Sequence, residues 1–312
     1  MEFSYKQKKI WVAGHNGMVG SALCKRLQNE KCDLLTVSRK ELDLTKALLV
    51  DDWIKLNKPQ VVFLAAAKVG GIMANSRYPA DFITENLLIQ TNIIKSCFEA
   101  NVQKLVFLGS ACIYPISHVP IKESFLMNGK LEETNISYAI AKIAGIEMCK
   151  AYMKQHKSNY ISVQPNNLYG DLDNFSEESG HVIPALIKRI HKAKKDLSSS
   201  VAIWGSGKPL REFLYVDDLV DALLLITKKY HDLEPINIGS GEEVSISKLA
   251  HLIAKVINYK GKIVFDSKFP DGVPRKFLDN TKLRELGWKS QTKLEVGLKK
   301  TYNWFLDNIA NE

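Results

Sequence analysis

Gly14-His15-Asn16-Gly17-Met18-Val19-Gly20 follows the apolar run Ile10-Trp11-Val12-Ala13 and precedes the amphipathic run Ser21-Ala22-Leu23-Cys24-Lys25-Arg26-Leu27. That order predicts a strand, a tight glycine turn and a helix. The first turn of a helix presents unpaired backbone N–H groups and the positive end of its dipole, so it can hold a diphosphate. Glycines let the backbone turn sharply and approach the phosphates closely. The spacing is GxxGxxG rather than the commoner GxGxxG, and such a run also occurs in turns that bind nothing. The strand–turn–helix context is what makes it a dinucleotide-binding candidate.

Further along, Leu34-Leu35-Thr36-Val37, Val61-Val62-Phe63-Leu64-Ala65-Ala66 and Leu105-Val106-Phe107-Leu108 read as strands, with helical stretches near 46–57 and 80–100 between them. Alternating strand and helix implies a parallel sheet covered by helices, and continuous apolar strands are those buried on both faces. The expected fold class is α/β, a Rossmann-type doubly wound parallel sheet with a smaller mixed α/β substrate-binding domain. The expected division is 1–169 for the NADP-binding domain, with a return segment near 213–240, and 170–312 mainly for the substrate. Beyond Gly170 the chain carries loops such as Asp171-Leu172-Asp173-Asn174 and Phe269-Pro270-Asp271-Gly272-Val273-Pro274, and a helix from Ser247 to Ile257. A last helix has Leu294, Leu298, Tyr302 and Phe305 on one face.

Composition narrows the classes. Of 312 residues, 46% are hydrophobic and 25% charged, which is ordinary for a globular protein. No apolar run nears the roughly 20 residues of a membrane helix, so no membrane partner is expected. Met1-Glu2-Phe3-Ser4-Tyr5-Lys6 lacks the apolar core of a signal peptide, so the expected location is cytoplasmic. Five cysteines with no CxxC pair give no disulfide framework or metal site. The net charge of +9 comes from short clusters such as His191-Lys192-Ala193-Lys194-Lys195. These are not interleaved with stacking aromatics, so nucleic acid is not an expected partner, and the excess suits a site holding several phosphates.

The second strand ends Val37-Ser38-Arg39-Lys40, with no carboxylate directly after it. A carboxylate there would repel a 2′-phosphate, whereas Arg39 can pair with one, so NADP(H) is expected over NAD(H). The bland reading of Arg39 is a surface charge. Asp43 is placed beside the adenine. Tyr138 and Lys142 open a helical stretch running to about Lys154 and share one face of it. An ammonium beside a phenol favours the phenolate, and such a pair can give or take a proton at a carbonyl or alcohol oxygen. The competing reading is a core tyrosine with a solvated lysine; a second YxxxK, Tyr5 to Lys9, lies in what reads as a frayed leader. The pair follows a strand ending Gly109-Ser110, and ligands bind at the carboxyl ends of parallel strands, where Ser110 can reach the same oxygen.

Glycine turn, strand-end serine and YxxxK together resemble the extended short-chain dehydrogenase/reductase family. Longer strings narrow the resemblance: Ala65-Ala66-Ala67-Lys68-Val69-Gly70-Gly71-Ile72, Gly109-Ser110-Ala111-Cys112-Ile113-Tyr114-Pro115, Ser137-Tyr138-Ala139-Ile140-Ala141-Lys142, Asn167-Leu168-Tyr169-Gly170, His181-Val182-Ile183-Pro184-Ala185-Leu186, and Trp204-Gly205-Ser206-Gly207 through Arg211-Glu212-Phe213. From about residue 9 to 308 the chain is similar to the branch of that family whose members are GDP-4-keto-6-deoxy-D-mannose 3,5-epimerase/4-reductases. The resemblance implies a bifunctional NADPH enzyme acting on a GDP-sugar to form GDP-L-fucose. It implies cofactor contacts at Gly14, Asn16, Gly17, Met18, Val19, Arg39, Ala65, Ala66, Ala67, Lys142 and His181. It implies catalysis by Ser110, Cys112, Tyr138, Lys142 and His181, and a homodimer through helices around 84–99 and 137–154.

A thiol near a cation is a plausible base for a carbon acid, and histidine titrates near neutral pH and suits the acid role. Residues two apart in an extended segment face one side, which places Ser110 and Cys112 together on the cleft. Without the resemblance, Cys112 reads as an inert buried thiol and His181 as a helix-start cap; with it, both read as catalytic. For the substrate the resemblance points to Asn167, Val182, Arg189, Trp204, Arg211 and Lys276. Arg189 and Arg211 suit a diphosphate, and Trp204 offers either a flat face for a base or a packing side chain. Asn16 stands where an arginine is common, which leaves Arg39 to carry the preference for NADP(H). Alternative functions are C4 reduction of a related GDP-6-deoxy-heptose without epimerisation, a UDP-sugar 4-epimerase with held NAD, and a binding protein that has lost the chemistry.

Overall fold

The computed structural model describes residues 3–116, 119–176, 180–269 and 271–310. Met1, Glu2 and Pro270, which the sequence places in the leader and a loop, lie outside them. The chain opens as β1 (Lys9–Ala13), α1 (Met18–Leu27), β2 (Asp33–Leu35), α2 (Ala47–Asn57), β3 (Val61–Leu64), α3 (Ile72–Arg77), α4 (Pro79–Glu99), β4 (Lys104–Leu108), α5 (Ile136–His156) and β5 (Tyr160–Pro165). It continues as β6 (Asn167–Tyr169), α6 (Val182–Lys195), β7 (Ser200–Trp204), β8 (Leu210–Tyr215), α7 (Val216–Lys229), β9 (Ile236–Ile238), β10 (Glu243–Ser245), α8 (Ile246–Ile257), β11 (Lys262–Asp266), β12 (Arg275–Lys276), α9 (Thr281–Glu285) and α10 (Leu294–Asn308).

Among the described residues, the main sheet runs β2-β1-β3-β4-β5-β9, parallel throughout. Its apolar strands are buried because alternate side chains feed two cores. Ile10, Val12, Val61, Phe63, Val106, Ile161 and Val163 meet α1 and α7 through Leu23, Leu27, Leu219 and Leu223. Trp11, Ala13, Val62, Leu64, Leu105 and Phe107 meet α2, α4 and α5 through Val50, Ile54, Ile93, Ile94 and Ile146. The period of two along each strand thus divides between opposite layers. Truncating a central ring such as Phe63 to alanine costs about 3–5 kcal/mol.

After β5 the chain leaves this sheet and returns to it through α7 and β9. The excursion builds the second layer: β8 pairs antiparallel with β10 and parallel with β12 and β6, and β7 pairs parallel with β11. Helices α6, α8 and α10 cover it with Ile183, Ile187, Ile190, Leu249, Ile253, Leu298, Tyr302 and Phe305, while Leu294 is only partly buried. Strand β1 has β2 on one side and β3 on the other, so the connections diverge there and open a crevice at the carboxyl ends of the strands.

Three local expectations are corrected. β2 ends at Leu35, two residues short of Val37. Tyr5 is not in a frayed leader: it is buried, and its hydroxyl donates to Leu224 O of α7 at 3.1 Å. The segment after Ser110 is not extended, because Ala111–Ile113 forms a 3-10 turn.

Candidate active site

The glycine turn is demanded by geometry. Gly14 has φ +93°, and a Cβ there would stand 2.7 Å from Ala66 N. The turn therefore rests on Ala65 and Ala66 at the end of β3, where Ala65 N also donates to Ala13 O at 3.0 Å. A Cβ on Gly20 would meet Gly14 O at 2.1 Å, so α1 can back onto the turn only through a glycine. Gly17 caps α1 with no side-chain hydrogen bond, and the first turn holds no acidic residue. Asn16, Met18 and Val19 line this N-terminus, whose unpaired N–H groups fit the diphosphate of a dinucleotide. Ala67 leads into Lys68, whose N–H donates to Asn86 Oδ1 at 2.9 Å and ties the segment to α4.

Arg39 is on the surface, with its side chain 81% exposed and 3.4 Å from Glu85 Oε2. An ion pair so exposed contributes little and yields readily to a phosphate. Asp43 spends one oxygen on its own turn, accepting from Thr45 N at 3.0 Å and Thr45 Oγ1 at 2.7 Å.

At the carboxyl end of β4 the structure gathers Ser110, Cys112, Tyr138, Lys142 and Lys276. The 3-10 turn that replaces the expected extended segment forms because Ser110 Oγ accepts from Cys112 N at 3.2 Å. That bond keeps the thiol beside the hydroxyl by a different route from the alternation read in the sequence. Ser110 N donates to Gln164 Oε1 at 2.9 Å, and a Cβ on Gly109 would collide with that same amide. Gln164 thus anchors the serine from β5; nothing in its spacing along the chain marks it.

Tyr138 and Lys142 do lie on one face of α5, yet the amine does not act on the phenol as expected. Lys142 Nζ donates to Leu108 O at 2.7 Å and sits over the Tyr138 ring, 5.8 Å from its centre. Burial pushes the Lys142 amine down to about 7. Burial likewise pushes the Tyr138 phenol well above its usual range, with the nearby Cys112 thiol adding to it and a hydrogen bond with Ser110 opposing it. The phenol is therefore held in its protonated form, ready to donate.

Lys276 Nζ donates to Cys112 Sγ at 3.8 Å, which sets an amine beside the thiol. Cys112 is half-buried, so it is not an inert core thiol. Lys276 reaches it from β12, which is in register with Arg211 on β8. Buried Glu212, next along β8, accepts from Asn166 Nδ2 and from Leu278 N at 3.2 Å, fastening β12 in place. Asn167 Nδ2 donates to Glu212 O at 2.9 Å.

Two of the remaining substrate candidates, Arg189 on α6 and Trp204 on β7, meet in a second cluster. His181 is the N-cap of α6 but its side chain makes no capping bond, which removes the helix-cap reading. Val182 starts the helix and Arg189 lies two turns on. The Arg189 guanidinium stands 4.6 Å from the centre of the Trp204 ring, and Phe269 stacks on that ring at 4.6 Å. Trp204 is 47% exposed and so does not pack in a core. The loop that follows Phe269 joins the clusters: Asp271 accepts from Ser206 N at 2.8 Å, and Gly272 closes on Arg211. Phe269 and Asp271 were not singled out by the sequence, since their partners are far away along the chain.

The chain matches the NAD dependent epimerase/dehydratase family over residues 10–239. It is 52% identical to the GDP-L-fucose synthase of Sinorhizobium fredii over 306 residues, 97% of each chain. It superposes on a GDP-L-fucose synthetase from Naegleria fowleri bound to NADP with a TM-score of 0.92 at 32% identity, covering 98% of this chain and 95% of that one. A GDP-mannoheptose C4 reductase from Campylobacter jejuni with NADP bound gives a TM-score of 0.88 at 36% identity, covering 96% and 98%. The chain belongs to the NAD dependent epimerase/dehydratase family and, within it, to the GDP-L-fucose synthase group.

Proposed function

We propose that this protein is an NADP(H)-dependent enzyme that epimerises GDP-4-keto-6-deoxy-D-mannose at C3 and C5 and reduces it at C4, forming GDP-L-fucose. The observation that carries the reading is the convergence of a protonated phenol, a serine hydroxyl and a lysine-paired thiol at the carboxyl end of β4.

The glycine turn, with Asn16, Met18 and Val19 at the α1 N-terminus, holds the cofactor diphosphate, and Ala65, Ala66 and Ala67 form the adjoining wall. Arg39 meets the 2′-phosphate, and Lys142 and His181 contact the cofactor at its other, reacting end. NADPH, when bound, supplies the hydride that reduces C4. Residues 1–169 with the segment near 213–240 carry the cofactor, and 170–312 mainly carry the sugar nucleotide. Arg189 and Arg211 meet its diphosphate, Trp204 its planar base, and Asn167 and Val182 its remaining edges.

A 4-ketone acidifies the hydrogens on C3 and C5, because the carbanion left behind delocalises onto the ketone oxygen. Cys112, paired with Lys276, removes each proton. His181 returns a proton on the opposite face, which inverts the carbon. Tyr138 keeps its proton until the C4 oxygen becomes an alkoxide and then donates it, with Ser110 hydrogen-bonded to the same oxygen. Positioned acids and bases of this kind contribute about 10²–10⁴-fold each. The enzyme works as a homodimer through α4 and α5, where Leu88 and Ile140 are exposed apolar residues. We place it in the cytoplasm, which suits its five free cysteines; among the described residues no helix is long and apolar enough to cross a membrane.

The test is incubation with the ketosugar in deuterium oxide, first without and then with NADPH. Deuterium at both C3 and C5 followed by NADPH oxidation to GDP-L-fucose supports the reading. NADPH oxidation with no exchange at either carbon makes the protein a C4 reductase of the heptose type and overturns it.

A further inference from the structure

Behind His181 lies a carboxylate that the function above does not use. Asp173 is 8% exposed, and its Oδ1 accepts from Asn174 N at 2.8 Å. Its Oδ2 is buried and has no hydrogen-bond partner among the described residues. The His181 Nδ1 stands 3.7 Å from Oδ1, while 47% of the histidine side chain remains exposed. A buried carboxylate with an unpaired oxygen is costly, and such a group needs a partner nearby. The imidazole stands on the Oδ1 side of that carboxylate, while Oδ2 has no partner among the described residues. Among the described residues the histidine is the side chain that is an ion-pair partner of Asp173, and it is not spent on capping α6.

We propose that Asp173 is the positioning residue for His181, accepting a hydrogen bond from Nδ1–H and so leaving Nε2 to deliver the proton. This rests on reading His181 as the acid of the epimerisation. A carboxylate at one ring nitrogen fixes the tautomer and the ring plane, as outer partners of functional histidines commonly do. The observed separation is longer than a hydrogen bond and closes with a small swing of the ring; such bonds tighten when substrate binds. The proton balance is simple. The Nε2–H bond breaks as the C–H bond forms at C3 or C5, the imidazolium becomes a neutral imidazole that keeps Nδ1–H, and Asp173 neither gains nor loses a proton in the step.

The opposing reading is that Asp173 only shapes the loop through Asn174. The two differ in what Asp173→Asn does to the full-length protein. Positioning predicts that deuterium exchange at C3 and C5 falls by about 100-fold with KM for the ketosugar little changed. NADPH binding, followed by its fluorescence, stays within about twofold of the wild type, because the glycine turn and Arg39 that hold the diphosphate and 2′-phosphate lie elsewhere. A loop-shaping role gives unchanged exchange, or loses exchange and NADPH binding together, and either result overturns the proposal. A second measurement does not depend on the variant folding. In ¹⁵N-histidine spectra of the wild type, taken at a pH where the ring is neutral, the resonances lost in His181→Gln must report the Nδ1–H tautomer; the Nε2–H tautomer there overturns it. If His181→Gln exchanges at the wild-type rate, the acid assignment itself fails and takes this inference with it. If His181→Gln stops exchange and Asp173→Asn does not, the inference about Asp173 alone is wrong.

Discussion

Strand β4 runs from Lys104 to Leu108, and a buried amine lies at each end of it. Lys104 Nζ donates to Tyr230 O at 3.0 Å and sits 3.3 Å from His231 Nδ1. Lys142 Nζ donates to Leu108 O at 2.7 Å. Burial lowers both, Lys104 to about 8 and Lys142 to about 7. A cavity of about 520 Å³, lined by Met153, Lys154, Asn159 and His231, even adjoins the Lys104 end. Yet the proposed chemistry belongs to the other end. There the crevice of the parallel sheet opens, and a phenol, a hydroxyl and a thiol stand within reach of one another. A lysine stripped of water marks burial; it marks a reaction centre only where other groups can meet a substrate atom.

Substitutions that treat the two ends alike test that distinction. Lys142→Met removes a proposed cofactor contact beside Tyr138 and is expected to lower the rate of C4 reduction by about 10²-fold, read from NADPH oxidation. Lys276→Met removes the amine that donates to the thiol and is expected to slow exchange at C3 and C5 by about 10–100-fold, with NADPH binding unaffected. Arg39→Ala is expected to lower the ratio of NADPH to NADH efficiency by about tenfold, since one charge-assisted contact is lost. An unchanged ratio refutes the 2′-phosphate assignment. Lys104→Met is expected to leave both activities within about twofold.

Lys104 should instead show in the pH dependence of stability. Its amine is harder to protonate in the folded chain than in the unfolded one. Between pH 8 and 10.5 the unfolded chain thus binds more protons, and stability rises with pH through that window. In Lys104→Met that part of the rise should disappear from denaturant titrations. A slope unchanged from the wild type contradicts the buried charge.

What could be read in the sequence follows the same divide. The glycine turn and the apolar strands were legible because their requirements are local: Gly14 needs its positive φ, and each strand buries alternate residues on opposite faces. Tyr138 and Lys142 were legible as a pair because one helical turn brings them to one face. Their electrostatics were not, since they depend on Leu108 O and on loss of water rather than on spacing. Lys276 lies 164 residues from Cys112 and meets it only because β12 is fastened to β8, so only the resemblance marked it, and for the substrate rather than the thiol. Asp173 sat in a loop with no pattern to distinguish it. Tyr5 looked like leader because the α7 carbonyl that binds its hydroxyl is 219 residues away.

The account stands on two proton-handling groups that share Ser110 yet serve separate steps. The measurement that tests it most directly is deuterium incorporation and NADPH oxidation in one sample of Tyr138→Phe and one of Cys112→Ser. The account predicts that Tyr138→Phe exchanges C3 and C5 without reducing C4, and that Cys112→Ser does not exchange. Reduction at the wild-type rate by Tyr138→Phe, or full exchange by Cys112→Ser, contradicts it.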